Sequence, residues 1–175
     1  MNTDALLALS PLDGRYRDKL TELAAIGSES GLMRQRVGVE VAWFKALSRC
    51  PEFKALPQLK SSDDRFLDDL VSNFKPEDAA AIKAIERTTN HDVKAVEYWL
   101  KEQFSARPSL APHTEFIHFA CTSEDINNVA YALILKSARE EILNPLLGRI
   151  DGTLESMAVE FAAQPMLSRT HGQTA

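Results

Sequence analysis

Residues 122–161 read TSEDINNVAYALILKSAREEILNPLLGRIDGTLESMAVEF, a pattern that predicts one long helix. Thr122 with Asp125 three positions later forms a capping box, which is typical of a helix N-terminus. Apolar side chains then recur at helical spacing in two stripes. The register changes near Pro145, which predicts a kink because proline lacks an amide donor. The first stripe comprises Ile126, Val129, Ala130 and Leu133, and the second comprises Leu143, Leu146, Leu147, Ile150, Leu154, Met157 and Phe161.

This predicted helix is long for the size of the chain. About 39 residues at about 1.5 Å each span about 58 Å. A compact globule of 175 residues has a diameter of only about 40 Å. We therefore expect the apolar stripes to need partners from further chain, from other subunits, or from both.

The residues before this helix also show helical periodicity. Prolines and polar caps delimit helices near residues 31–50, 62–74, 76–88 and 91–107, and almost no window alternates as a strand would. The predicted fold class is therefore all-α. Residues 108–112 are the best candidate linker, so we expect a small N-terminal helical domain at residues 1–111 and the start of a second domain at residues 112–175.

Composition limits the function classes. The hydrophobic fraction is 45% and the net charge is −5, with no basic cluster, which argues against nucleic acid or an anionic membrane surface as the partner. No apolar stretch approaches the length of a membrane span, and the first residues lack the features of a signal peptide. Cys50 and Cys121 match no metal-ligand spacing and suit reduced thiols. We expect a cytoplasmic protein.

Polar clusters at two helix starts are candidate binding sites. Asn90 is suited to cap a helix, with His91 and Asp92 in its first turn, where unpaired backbone N–H groups attract anions. The hydroxyls of Thr122 and Ser123 at the next helix start suit a substrate carboxylate. Helix capping alone is the alternative interpretation at both places.

Three further side chains suit binding or proton transfer. Arg15 and Tyr16 follow the tight turn at Asp13 and Gly14, where an arginine fork and a phenol can bind phosphate. A surface turn with an exposed arginine is the alternative. His171 is the strongest candidate for proton transfer because imidazole titrates near working pH, although a lone histidine is often structural or solvated.

Five motifs connect these candidates to a known family. They are SPLDGRY at 10–16, RTTNHDVKAVEY at 87–98, FIHF at 116–119, TSEDINN at 122–128 and RTHGQ at 169–173. Taken in this order, they closely resemble the bacterial type of adenylosuccinate lyase, in the superfamily of fumarase and argininosuccinate lyase. The resemblance extends over essentially the whole chain.

The resemblance implies a fold and a reaction. The family is all-helical and tetrameric, and the long kinked helix would be the first helix of its central bundle. The implied reaction is elimination of fumarate from adenylosuccinate, giving AMP, and from the succinylocarboxamide ribotide of purine synthesis. No cofactor or metal is implied, and the implied partners are a small nucleotide substrate and, for the full-length enzyme, the other subunits of a homotetramer.

The resemblance also implies residue roles. His171 matches the general acid that protonates the leaving nitrogen, and Arg15 with Tyr16 matches contacts to the nucleotide phosphate. The segment Asn90, His91 and Asp92 matches a substrate-binding segment. Thr122 and Ser123 match contacts to the succinyl or fumarate part.

One family motif has no counterpart in these residues. The family's catalytic serine lies on a loop with the signature Ser-Ser-x-Met-Pro-x-Lys, and that signature does not occur between residues 1 and 175. We therefore expect this chain to be the N-terminal part of a truncated lyase and to be inactive alone. The alternatives are a helical interaction module, which would bind partner helices through the second apolar stripe, and a related enzyme such as argininosuccinate lyase.

Overall fold

The computed structural model describes residues 3–174, and within them helices dominate, which confirms the predicted all-α class. The α-helices are α1 (Thr3–Leu6), α2 (Thr21–Gly27), α3 (Glu29–Arg49), α4 (Ser61–Ser72), α5 (Pro76–Thr89), α6 (Asp92–Ser105), α7 (Ser123–Ser137) and α8 (Asn144–Glu160). Short 3₁₀ turns occupy Arg17–Lys19 and Ala111–Phe116. Two-residue strands β1 (Arg169–Thr170) and β2 (Gln173–Thr174) pair antiparallel.

The chain forms two compact units, of which the first runs to Ala138 and the second begins at Arg139. This division between compact units lies within the long helical run. The boundary expected from the sequence was instead a linker between helices, at residues 108–112. The domain boundary between residues 111 and 112 stays a prediction.

Helix α3 is central to the core of the first unit. Its positions Val37 and Phe44 are fully buried, and Phe44 meets Phe104 of α6 edge to face, with ring centroids 4.9 Å apart. Such aromatic pairs add to the stability that burial itself provides. The periodicity of residues 31–50 therefore identified the buried face correctly. The fully buried residues of the neighbouring helices include Leu67, Ile82, Val96, Leu100 and Ile126.

The helical run that begins at Ser123 contains one irregular turn. Residues Ala138–Leu143 are π-helical, and Pro145 lies in the first turn of α8. Proline has no N–H to donate to the carbonyl four residues earlier, and a π-turn accommodates the change of register. The break in register predicted near Pro145 is therefore found just before it.

The apolar stripe of α8 is exposed along its length, including Leu147, Ile150 and Leu154. Among the residues that the structure describes, no helix is both long enough and apolar enough to cross a membrane.

Candidate functional site

The segment at residues 90–92 joins α5 to α6 in a way that differs from the expectation. Asn90 is the C-cap of α5 in the left-handed conformation, with φ of 51°. His91, instead of Asn90, is the N-cap of α6, and its Nδ1 accepts a hydrogen bond from the Lys94 N–H at 3.2 Å. Asparagine tolerates the left-handed region better than most residues, so it ends one helix and leaves the capping of the next to its neighbour.

The cap sets the tautomer of His91. Because Nδ1 accepts a hydrogen bond, a neutral His91 ring carries its proton on Nε2. That nitrogen lies 3.5 Å from Ser123 Oγ at the start of α7. At this distance the hydrogen bond is weak, but two candidate binding residues from separate motifs are neighbours.

Thr122 forms the predicted capping box with Asp125. The Thr122 N–H donates to Asp125 Oδ2 at 2.7 Å, and the Thr122 hydroxyl donates to the same oxygen at 2.9 Å. These two hydrogen bonds hold the pKa of Asp125 below its usual value. Thr122 therefore caps a helix in this structure, and the Ser123 hydroxyl is the one directed toward His91.

Arg36 of α3 joins the two helix starts, and the sequence analysis did not single it out. Its Nη2 donates to Asp92 Oδ2 at 2.6 Å, and its Nε donates to Asn127 Oδ1 at 2.9 Å. The residue is only 5% exposed. One signal was available in the sequence, since Arg36 lies between Met33 and Val37 on the apolar face of α3, and a charge on such a face needs a partner.

Asp92 is ionised and already engaged. Its Oδ1 accepts the Val93 N–H at 2.8 Å, while Oδ2 accepts from Arg36. Burial raises the pKa of Asp92, but the Val93 N–H and the Arg36 guanidinium together outweigh burial and keep that pKa below its usual value. The nearby positive charge also offsets the negative charge that Asp92 would present to an anionic ligand.

A second buried pair supports the loop that leads to α7. Glu40 is 1% exposed, and its Oε1 lies 2.6 Å from Nδ1 of His118. His118 and Ala120 both have positive φ, at 61° and 59°. Between these two residues, the Phe119 carbonyl accepts a hydrogen bond from the Trp43 indole N–H at 2.8 Å. These contacts indicate a structural role for His118.

Arg15 and Tyr16 lie on the turn before the first 3₁₀ element. Both are exposed, and the Arg15 guanidinium lies over the Tyr16 ring, 5.3 Å from its centroid. A Cβ on Gly14 would lie 2.4 Å from the Ala5 carbonyl oxygen, so this turn needs glycine. Within residues 3–174, the structure gives neither side chain a hydrogen bond to the helix starts at His91 and Ser123.

His171 belongs to the second unit, on the turn between β1 and β2. The turn consists of His171 and Gly172, whose φ angles are 48° and 75°. Two positive φ angles are what a two-residue type I′ hairpin requires, and Gly172 supplies one of them without strain. His171 is exposed at the tip of this hairpin.

Comparisons with known proteins match this chain along its length. Residues 14–175 match the family model described as lyase. The adenylosuccinate lyase of Haemophilus influenzae is 52% identical over 175 residues, which is all of this chain and 38% of that protein. The adenylosuccinate lyases of Escherichia coli K12 and of Vibrio cholerae are 50% and 49% identical over the same shares. The chain thus spans 38% of the length of these relatives.

Proposed function

Because the chain belongs to the lyase family, we propose that it is the N-terminal part of an adenylosuccinate lyase. The observation that supports this most strongly is the sequence identity of about 50% to enzymes of that name, in alignments that cover the whole chain. The proposed reactions are elimination of fumarate from adenylosuccinate, giving AMP, and the corresponding elimination from the succinylocarboxamide ribotide of purine synthesis.

The elimination consists of three chemical events. A base removes a proton from the carbon beside a carboxylate, the C–N bond breaks as the C=C bond of fumarate forms, and the leaving nitrogen gains a proton. We assign the last step to His171 as general acid. Its exposed position on a hairpin turn supports this role, since the imidazole is open to approach by a substrate or another segment.

The binding roles fall on the first unit. His91 and Ser123 would hold the succinyl part, because a hydroxyl and a ring N–H at two helix N-termini donate to carboxylate oxygens. Asn90 ends α5, while Asp92 and Thr122 accept backbone N–H groups at the starts of α6 and α7, so all three shape these helix starts. We assign Arg15 and Tyr16 to the phosphate group, which an exposed guanidinium suits.

The resemblance assigns the base to the serine loop, whose signature does not occur between residues 1 and 175. We propose that residues 1–175 alone do not turn over adenylosuccinate. We also propose that the full-length protein is a cytoplasmic homotetramer, in which the exposed stripe of α8 packs against helices of other subunits.

A fumarate-release assay on the full-length protein tests the proposal. We expect His171→Ala to lower kcat by about 10² to 10⁴, the usual contribution of a positioned acid or base. His113→Ala is the matched control, because His113 packs against Phe116 and belongs to none of the proposed site residues. Release of fumarate at the normal rate by His171→Ala would refute the assignment, and no release by the wild type would refute the function.

The exposed α8 stripe also favours a second candidate, a helical interaction module. The same assay separates the two, because a module without catalytic activity releases no fumarate at any enzyme concentration. Argininosuccinate lyase, the other alternative, is tested by offering argininosuccinate in parallel.

A further inference from the structure

Three chain segments far apart in sequence meet at Arg36. Residue 36 lies on α3, Asp92 is the first residue of α6, and Asn127 is in the first turns of α7. Two nitrogens of one planar guanidinium serve both partners, at 2.6 and 2.9 Å. The guanidinium is almost fully buried, whereas the Asp92 side chain is 47% exposed, so water is excluded mainly from the arginine end of these hydrogen bonds.

From this geometry we infer that Arg36 is a positioning residue of the candidate site. Its guanidinium sets the spacing between the N-termini of α6 and α7, and so between His91 and Ser123. This inference rests on the proposed function, because it concerns the residues to which that function assigns substrate binding. Arg36 itself acts through Asp92 and Asn127 and does not contact the substrate.

The geometry requires an arginine at position 36. A lysine ammonium is a point charge on a flexible stem and does not present two donors in a fixed plane. It would retain the charge beside Asp92 and lose the fixed angle between the two hydrogen bonds. Arg36→Lys therefore removes the fixed geometry of the two hydrogen bonds while keeping the positive charge beside Asp92. The variant thus separates the effect of geometry from the effect of charge.

Kinetics on the full-length protein provide the first test. We expect Arg36→Lys to raise KM and to lower kcat/KM for adenylosuccinate by up to about 100-fold, the scale of a misplacement of about 1 Å. Asn127→Ala removes one of the two hydrogen bonds while leaving the Arg36–Asp92 pair, so it should raise KM by less. A merely structural role would reduce the amount of folded enzyme and leave KM unchanged.

Arg34→Lys is the matched control on the same helix. Arg34 is exposed and donates to the Val71 carbonyl of α4 at 3.3 Å, away from both helix starts. We expect its KM to equal that of the wild type. An unchanged KM in both Arg36→Lys and Asn127→Ala would overturn the inference.

Hydrogen exchange by mass spectrometry gives a readout that does not depend on activity. We expect Arg36→Lys to speed amide exchange together in the peptides covering residues 91–96 and 122–128, with Arg34→Lys unchanged. If the wild type releases no fumarate, the proposed function fails, and this measurement still decides the positioning role. Exchange that is unaltered in both peptides would overturn that role.

Discussion

Arg36 and Glu40 lie one helical turn apart on the buried face of α3, where charges are rare. Each has its partner on a distant segment, Asp92 and Asn127 for Arg36 and His118 for Glu40. Glu40 has the less favourable environment of the two, because its Oε2 is buried without a hydrogen-bond partner. Burial therefore raises the pKa of Glu40, with a further rise from the charge of Glu97, and the hydrogen bond to His118 only partly opposes it.

This shift predicts a pH dependence of stability. The folded protein holds the Glu40 proton at pH values where the unfolded chain has released it, so stability falls as pH rises from 4.5 toward the higher folded pKa. Glu40→Gln has no proton to release. We therefore expect the free energy of unfolding of Glu40→Gln, relative to that of the wild type, to increase as pH rises through this range. Urea titrations at a series of pH values measure this difference.

The control for this experiment is Glu102→Gln, an exposed carboxylate on α6. Its difference from the wild type should stay constant over the same pH range. A Glu40→Gln difference that is flat, or that shrinks with rising pH, would show that Glu40 ionises in the core without cost.

At the scale of elements, the junction between α2 and α3 depends on a close backbone approach. Ser28 caps α3 by accepting the Gly31 N–H at 3.2 Å, so the helix begins at Glu29, before the expected position near residue 31. A Cβ on Gly31 would lie 2.2 Å from the Ile26 carbonyl oxygen. Only glycine lets α2 turn into α3 this tightly.

Gly31→Ala should therefore destabilise the protein by about 1 to 3 kcal/mol, as overpacking in a rigid environment does. The measurement is thermal or urea unfolding. Gly148→Ala is the matched control, because nothing lies within 4 Å of a Cβ added at that position in α8. There alanine should be neutral or stabilising by about 0.5 to 1 kcal/mol, since glycine is a poor helix former. Equal effects at the two positions would show that the junction between α2 and α3 does not require glycine at position 31.

At the scale of the whole molecule, the main feature is the exposed apolar stripe of α8. Leu147 and Leu154 are 62% and 58% exposed, and they lie two helical turns apart on one face of α8. Contiguous apolar surface of this kind marks an interaction site or a tendency to aggregate. Association with copies of the same chain is the simplest way to cover it.

We expect the chain to self-associate in sedimentation experiments at several concentrations. The double variant Leu147→Gln, Leu154→Gln should shift the distribution toward the monomer, because it removes apolar area from the stripe. The variant Asp151→Asn, Glu155→Gln changes the adjacent face of α8 and should associate like the wild type. A wild type that stays monomeric and binds no hydrophobic dye would contradict this prediction.

The sequence by itself determined the local features of this protein. The helical class, the apolar face of α3 and the capping box at Thr122 follow from periodicity and from contacts within a few residues, and the structure confirms them. The family resemblance is likewise supported by the comparisons. The roles of His171 and of the proposed binding residues stay predictions.

Only the tertiary structure decided which distant side chains meet. It made His91 the N-cap of α6 in place of Asn90, because Asn90 takes the left-handed C-cap of α5. It joined Arg36 to Asn127 and Glu40 to His118, across more than seventy residues in each pair. The physical reason is that a buried charged or polar group needs a hydrogen-bonding partner, and the packing of the whole core decides which distant residue lies within reach.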